Sequence, residues 1–404
     1  MTGTRRALIG RYAAVISAAV AIVVASVVLT SGPGDRSGAP LTDATIVARL
    51  QNTGKVYSPE LQAMLRATRA QPSDLVAAKA AARALIAEGR TAGDSRLVGA
   101  ATGVLHPFLA EPDAETLYLV ATARQYQHDF TGAMTLLDQA ITLDPRDASA
   151  LLTRATIQIV LGKFDLATAD CQRIARLPRP DLGFLCQSTA LLLTRQAPGV
   201  YARLGSIVAR PGLLDPALRS WAIGLMGEIA KLQGNTPAAK AHFADVIAAD
   251  PLALRERLLL VDILLDETAA TEALALLAPA PDVDGVLIRR VLAAQALGDH
   301  AMADLAKTEL DRRFRLNLDL GLTAHAREEA RYFLQIAGDP GLALTRAEVN
   351  WHLQHEFEDA QLLIDAAVAA GMPEAASPVL VWMKQQSVDV PTLRIPDAVR
   401  KAAE

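Results

Sequence analysis

The chain has 404 residues, 51% hydrophobic and only 4% aromatic, with a formal net charge of −4. That length allows two or three compact domains or one elongated array, and many small, straight-chain residues with few rings favour packed helices over strands. A near-neutral charge without a dense basic stripe argues against nucleic acid as a partner.

Residues 1–7 read as a cytoplasmic stub and residues 8–29 as a transmembrane signal anchor. Arg5, Arg6 and Arg11 precede an uncharged run from Tyr12 to Leu29, and no acidic residue stands before Asp35. About 18 apolar residues at roughly 1.5 Å each nearly cross a hydrocarbon core of roughly 30 Å. The basic side stays in the cytoplasm, which places the rest of the chain in a periplasm-like compartment. A cleaved secretory signal is the alternative. Against it, the run exceeds the usual core of about 7–15 residues and lacks a small-x-small site at its end. Residues 30–42, rich in Gly, Ser and Pro, form a flexible linker.

Residues 43–112 read as an N-terminal helical repeat region. Short helices are expected at 43–53 and 59–70, the second opened by Ser58-Pro59-Glu60. Pro72-Ser73-Asp74 opens a longer helix to about Gly89, and another runs from Ser95 to Leu109. Residues 113–386 read as a solenoid. In 114–145 the spaced residues are Leu117, Ala121, Ala133, Leu137, Ala140 and Pro145. In 220–251 the same spacing carries Ile223, Gly227, Ala239, Phe243, Val246 and Pro251. Small residues at matched places let two antiparallel helices approach closely, and the next unit must cover the remaining apolar stripe.

Residues 148–180 follow in register through Leu151, Ala155, Gly162, Phe164, Ala167, Cys171 and Ile174. In 182–215 a bulky Tyr201 replaces a small residue. Units at 254–283, 285–316 and 323–347 keep the pattern less regularly. A last pair is expected at 350–371 and 374–386, with Gly371 as a helix stop. The tail, 387–404, either caps the last repeat or stays mobile.

The spacing in 114–145 and 220–251 resembles that of tetratricopeptide repeat proteins, whose units are 34 residues long. Ile86-Ala87-Glu88-Gly89-Arg90, Gln127-His128-Asp129-Phe130, residues 325–332 and Asn350-Trp351 are similar to stretches of a group of exported bacterial repeat proteins. The resemblance implies an all-α fold, a right-handed α-solenoid of helix pairs behind one N-terminal membrane or signal helix. It implies no reaction. Some tetratricopeptide proteins grip a peptide carboxylate with Lys and Asn on the first helix of each unit. Here those places hold Tyr118, Thr122, Leu152 and Thr156, so that clamp is absent from these units.

Cys171 and Cys186, 15 apart, are the only cysteines. Two helices side by side in an oxidising compartment favour a disulfide, against the alternative of two small buried thiols. His325, His352 and His355 lie in a polar segment, and with a further ligand they would suit a metal. A solvated helix face is the plainer reading. Arg327-Glu328-Glu329-Ala330-Arg331 reads as an ion network on a helix. Trp221 and Trp351 stand early in their expected helices, where a ring anchors a partner or fills the core.

No Gly-rich phosphate loop, nucleophile elbow or His-Glu-x-x-His occurs, and no motif asks for a cofactor. The sequence therefore points to a membrane-tethered scaffold that binds a protein segment outside the cytoplasmic membrane. The inner faces of helices near 115–126, 149–160, 221–231 and 343–354 supply the contacts, with Tyr118, Thr122, Gln125, Trp221, Glu228 and Trp351 among them, and Arg327 and Arg331 join them if their polar stretch is a groove for a partner. A bacterial inner membrane with the soluble part in the periplasm is the expected location. The alternative function is a metal- or small-ligand-binding accessory to a membrane transporter.

Overall fold

Helices begin where a short polar side chain stands ahead of an apolar run. Asp113, Asp147, Asp215, Asn235, Asp299 and Asp339 each accept a hydrogen bond from a backbone N–H of the first turn, which satisfies one of the donors a helix start leaves open. The computed structural model describes residues 57–92 and 94–402. The signal anchor, the linker and the helix expected at 43–53 lie outside the described residues. Among those described, no helix is long and apolar enough to cross a membrane.

From Ser58 onward the chain forms one compact unit. Helix Pro59–Ala70 leads into serial antiparallel pairs, each packed on the next. The first are Leu75–Ala92 with Ser95–Leu105, Ala114–Tyr126 with Phe130–Leu143, and Ala148–Val160 with Phe164–Ala175. Next come Pro180–Leu191 with Ala197–Val208, Pro216–Leu232 with Thr236–Ala249, and Leu254–Asp266 with Ala270–Leu277. Asp284–Ala296 with His300–Asp319, Ala326–Tyr332 with Pro340–Leu353, and Phe357–Ala369 with Ser377–Gln386 complete the series. The described chain is thus an all-α solenoid of paired helices.

The spaced residues form its core. Leu117, Ala121, Ala133, Leu137 and Ala140 are buried, as are Gly227, Ala239, Phe243 and Val246. An ideal Cβ on Gly227 would stand 2.6 Å from the Phe243 ring, so this crossing requires glycine. The turn inside five of the pairs passes through a left-handed residue: His128, Gly162, Gly234, Thr268 and Gly298 all have φ between 60° and 78°. Tyr201 is tolerated because its ring turns toward the following unit, where its hydroxyl lies 3.0 Å from His242 Nε2.

Cys171 and Cys186 are joined by a disulfide, with their Cα atoms 5.4 Å apart. It ties the second helix of one pair to the first helix of the next, and both residues are buried.

Several boundaries differ from the sequence reading. The helix from Leu75 starts after the expected Pro72 and runs to Ala92. Ser95–Leu105 gives way to a 3₁₀ turn, His106–Phe108. The stretch expected as one helix over 350–371 is two. Pro340–Leu353 ends, and Phe357–Ala369 begins behind a capping box in which Glu356 and Asp359 each accept the other's backbone N–H. Ala326–Tyr332 passes into a π turn, Phe333–Ala337, which Gly338 ends at φ 69°.

The largest departure concerns the end of the chain. The last pairs pack against the middle of the array as well as onto the preceding unit. The His355 N–H donates to the Val160 carbonyl at 2.7 Å, and the Phe164 N–H donates to Gln386 Oε1 at 3.2 Å. Val388 forms an antiparallel bridge with Thr194, the Asp389 N–H donates to the Leu193 carbonyl at 2.8 Å, and the Thr392 hydroxyl donates to the Leu232 carbonyl at 2.9 Å. One hydrophobic cluster therefore holds Phe164, Leu193 and Leu232 together with Trp351, Trp382, Val390 and Leu393. The described part of the tail, through Ala402, is not confined to the last repeat. It is a strap across the ends of earlier first helices, closed by helix Asp397–Ala402, whose Val399 is buried.

Candidate interaction surface

Where the last pairs meet the C-terminal ends of earlier first helices, charged side chains interlock. Asp262, set in the apolar helix Leu254–Asp266, accepts from Arg289 Nε at 2.9 Å and from Arg331 Nη2 at 2.7 Å. Burial alone would raise its pKa, but the two guanidiniums outweigh it and hold the carboxyl well below the usual range. Arg327 donates to both oxygens of Asp359, at 2.6 and 2.7 Å, and to Glu356 at 2.6 Å. Glu356 also faces Arg255 at 3.7 Å, and Arg255 forms a two-pronged pair with Glu228 at 3.0 and 2.8 Å. Lys231 and Glu358 approach to 3.4 Å.

The two carboxyls that share Arg327 are driven apart. Burial holds Asp359 up, at about 6, against the pull of Arg327. Burial also opposes ionisation of Glu356, yet Arg327 and Arg255 together bring it down to about 2. Asp359 accepts a further hydrogen bond from Asn350 Nδ2 at 2.6 Å. Glu228 raises the pKa of Arg255, with Glu356 and Glu358 adding to it, although half of the Arg255 side chain (50%) remains open to water. Arg255 thus faces Glu228 and Glu356 while half of its side chain meets water.

The residues expected to meet a partner fall into three groups. Glu228, Arg327 and Arg331 come together in this charged seam. Tyr118, Thr122 and Gln125 share the first helix of an earlier pair. Tyr118 and Gln125 are half-buried there, while Thr122 is buried with its hydroxyl on the Tyr118 carbonyl at 2.9 Å. Trp221 is half-buried between two core clusters. Trp351 stands at the end of its helix, not early in it. It packs edge-on to Trp382 at 5.5 Å, with 6% of its surface exposed.

The histidines are dispersed. His325 Nδ1 pairs with Asp284 at 3.0 Å, His352 is exposed, and His355 lies 4.3 Å from the Trp351 ring. Among the described residues no group of three or more His, Cys, Asp or Glu is placed to hold a metal ion. Sequence reasoning missed Asp262, Arg255, Arg289, Glu356 and Asp359. A usable signal existed for Asp262: one carboxylate inside Leu258-Leu259-Leu260-Val261-Asp262-Ile263-Leu264-Leu265 is costly unless it is paired.

No family model matches the chain, and no curated protein matches it. Solved structures similar to it include a chain of the APC/C hetero-tetramer Cut9–Hcn1, at 18% identity over 76% of this chain and 52% of that one, with a TM-score of 0.33. A chain of Naa15/Naa10 bound to HypK-THB is similar at 12% identity over 82% of this chain and 61% of that one, with a TM-score of 0.25. The P58(IPK) TPR domain is similar at 13% identity over 85% of this chain and 96% of that one, with a TM-score of 0.21. The chain spans about half the length of the first and under two thirds of the second.

Proposed function

We propose that the protein is a non-enzymatic scaffold that binds a segment of another protein. Residues 8–29 tether it to a cytoplasmic membrane, with the helical array on the outer side. The observation that carries the reading is the cluster of interlocked charges around Glu228, Arg255, Glu356 and Arg327, which offers both signs of charge in fixed places within reach of water. Fixed, paired charges select a complementary segment by geometry and reject a mismatched one. The half-buried row of Tyr118 and Gln125 on an earlier first helix supplies a second, less polar contact.

The test is photocrosslinking in intact cells, using the full chain with a photoreactive residue at Gln125 or at Lys231. A discrete adduct that Glu228→Arg abolishes is expected. A control probe at the exposed Leu305 should give no such adduct. Absence of any adduct at either inner position under several growth conditions would sink the scaffold reading. Alkaline extraction of membranes tests the tether separately: the full chain should pellet, and a chain lacking residues 1–42 should not. The metal-binding alternative finds its three histidines in separate surroundings and is not carried further.

A further inference from the structure

A cavity of about 630 Å³ opens where the last pair meets the turn of the pair at 148–175, a volume ordinary for a small-ligand site. Three rings stand in its wall. Trp351 and Trp382 meet edge to face at 87°, and His355 packs on Trp351. Leu161, Pro378 and Val381 add apolar surface, and Lys163, Gln385 and Gln386 also line it. Gly162, at φ 67°, has no Cβ to strike the Trp382 indole edge, and this allows the ring its position.

Two observations separate this cavity from a packing defect. Trp382 Nε1 and His355 Nδ1 are both buried, and neither has a hydrogen-bond partner. Trp382 itself is 93% buried, its relative exposure being 7%. A buried indole N–H left without an acceptor costs free energy, and such groups call for an explanation such as an absent ligand. Lys163, in contrast to the arginines of the charged cluster, is exposed and forms no ion pair among the described residues.

We propose that this cavity binds a small organic anion with a flat apolar body, an aromatic carboxylate, with its ring against the wall of Trp351, Pro378 and Val381 and its carboxylate accepting from the Trp382 indole N–H beside the Lys163 ammonium. The rings supply area and preferred edge or stacked geometry, and the ammonium supplies the charge. The lining holds a lysine and no carboxylate, so nothing in the wall repels an anion. Burial keeps the neighbouring His355 neutral at pH 7, pushing its pKa down to about 4. This site is independent of the scaffold reading, and either stands without the other.

Benzoate is the probe, with benzyl alcohol as the neutral control and benzylamine as the cationic one. The full chain labelled with 5-fluorotryptophan has three tryptophans, and Trp221→Phe identifies one of the three fluorine resonances. Benzoate should shift the resonances of Trp351 and Trp382 saturably and leave that of Trp221 in place. Benzyl alcohol should bind more weakly, and benzylamine should not compete. Lys163→Gln, an exposed change that leaves the core intact, should weaken benzoate about fivefold, as expected for a partly exposed ion pair. The proposal is overturned if benzoate moves none of the resonances or all three alike, if benzylamine binds as well as benzoate, or if Lys163→Gln binds benzoate unchanged.

Discussion

Gly227 and Phe243 show how a repeat position becomes a stability determinant. The ring occupies the space that any Cβ at 227 would need. Gly227→Ala should lower stability by about 1–3 kcal/mol through overpacking, measurable by urea denaturation with an unchanged slope. The gain in helix propensity from alanine, about 1 kcal/mol, offsets only part of this. Glu356 yields a pH prediction. Its folded pKa of about 2 lies below the ordinary 4.5, so the unfolded chain binds the proton more readily between those values. The stabilisation it confers is complete above about pH 4.5 and is lost as pH falls toward 2. Glu356→Gln should cost about 2–3 kcal/mol at pH 7, and the gap from wild type should close on acidification through that window. Asp359 behaves with the opposite sign, its burial penalty growing as pH rises through about 6. Because the Glu356 charge helps to hold Asp359 up, Glu356→Gln lets Asp359 ionise more readily, and this offsets part of the loss.

At the scale of elements, the pairs at 114–143 and 216–249 were readable because small and bulky residues alternate at fixed distances, and the buried set agrees with them. The break between Leu353 and Phe357 was not found. A reading that waits for proline or glycine passes over Gln354-His355-Glu356, where a Glu-x-x-Asp capping box restarts the helix without either. The strap was missed for another reason. Val388, Val390 and Leu393 form a short apolar stretch that any surface might receive, and nothing local names Leu193 or Leu232 as its seat. Val390→Asp with Leu393→Asp should detach it. Hydrogen exchange should then rise at Asp389, whose N–H the strap contact protects, and at the helices ending in Leu191 and Leu232, while the pairs before residue 143 keep their protection. Unchanged exchange at Asp389 would mean that the strap contributes no order there.

Across the whole unit, the contacts that fold the end of the chain onto its middle join residues far apart in sequence: Lys231 with Glu358, separated by 127 positions, and Phe164 with Gln386, separated by 222. Periodicity reports which face of a helix is covered by its neighbour in the series, and it is silent on a distant unit folding back. That is why periodicity marks Glu228, and the charge pattern marks Arg327 and Arg331, while neither points to their partners Arg255, Asp359 and Asp262. The disulfide acts at this scale too, fixing two consecutive pairs across a loop of 15 residues. Cys171→Ala with Cys186→Ala should lower stability by about 3 kcal/mol by the loop-entropy argument. An equal denaturation midpoint for the oxidised protein and this double variant would refute it.

The strap also sets a schedule for biosynthesis. A polypeptide leaves the ribosome with its amino end first, so Leu193, Thr194 and Leu232 emerge well before Val388 to Thr392 exist. Until release, the central coils must wait with an uncovered greasy seam. A premature stop near residue 387 would therefore leave the array unfinished in its middle, far from the point of truncation.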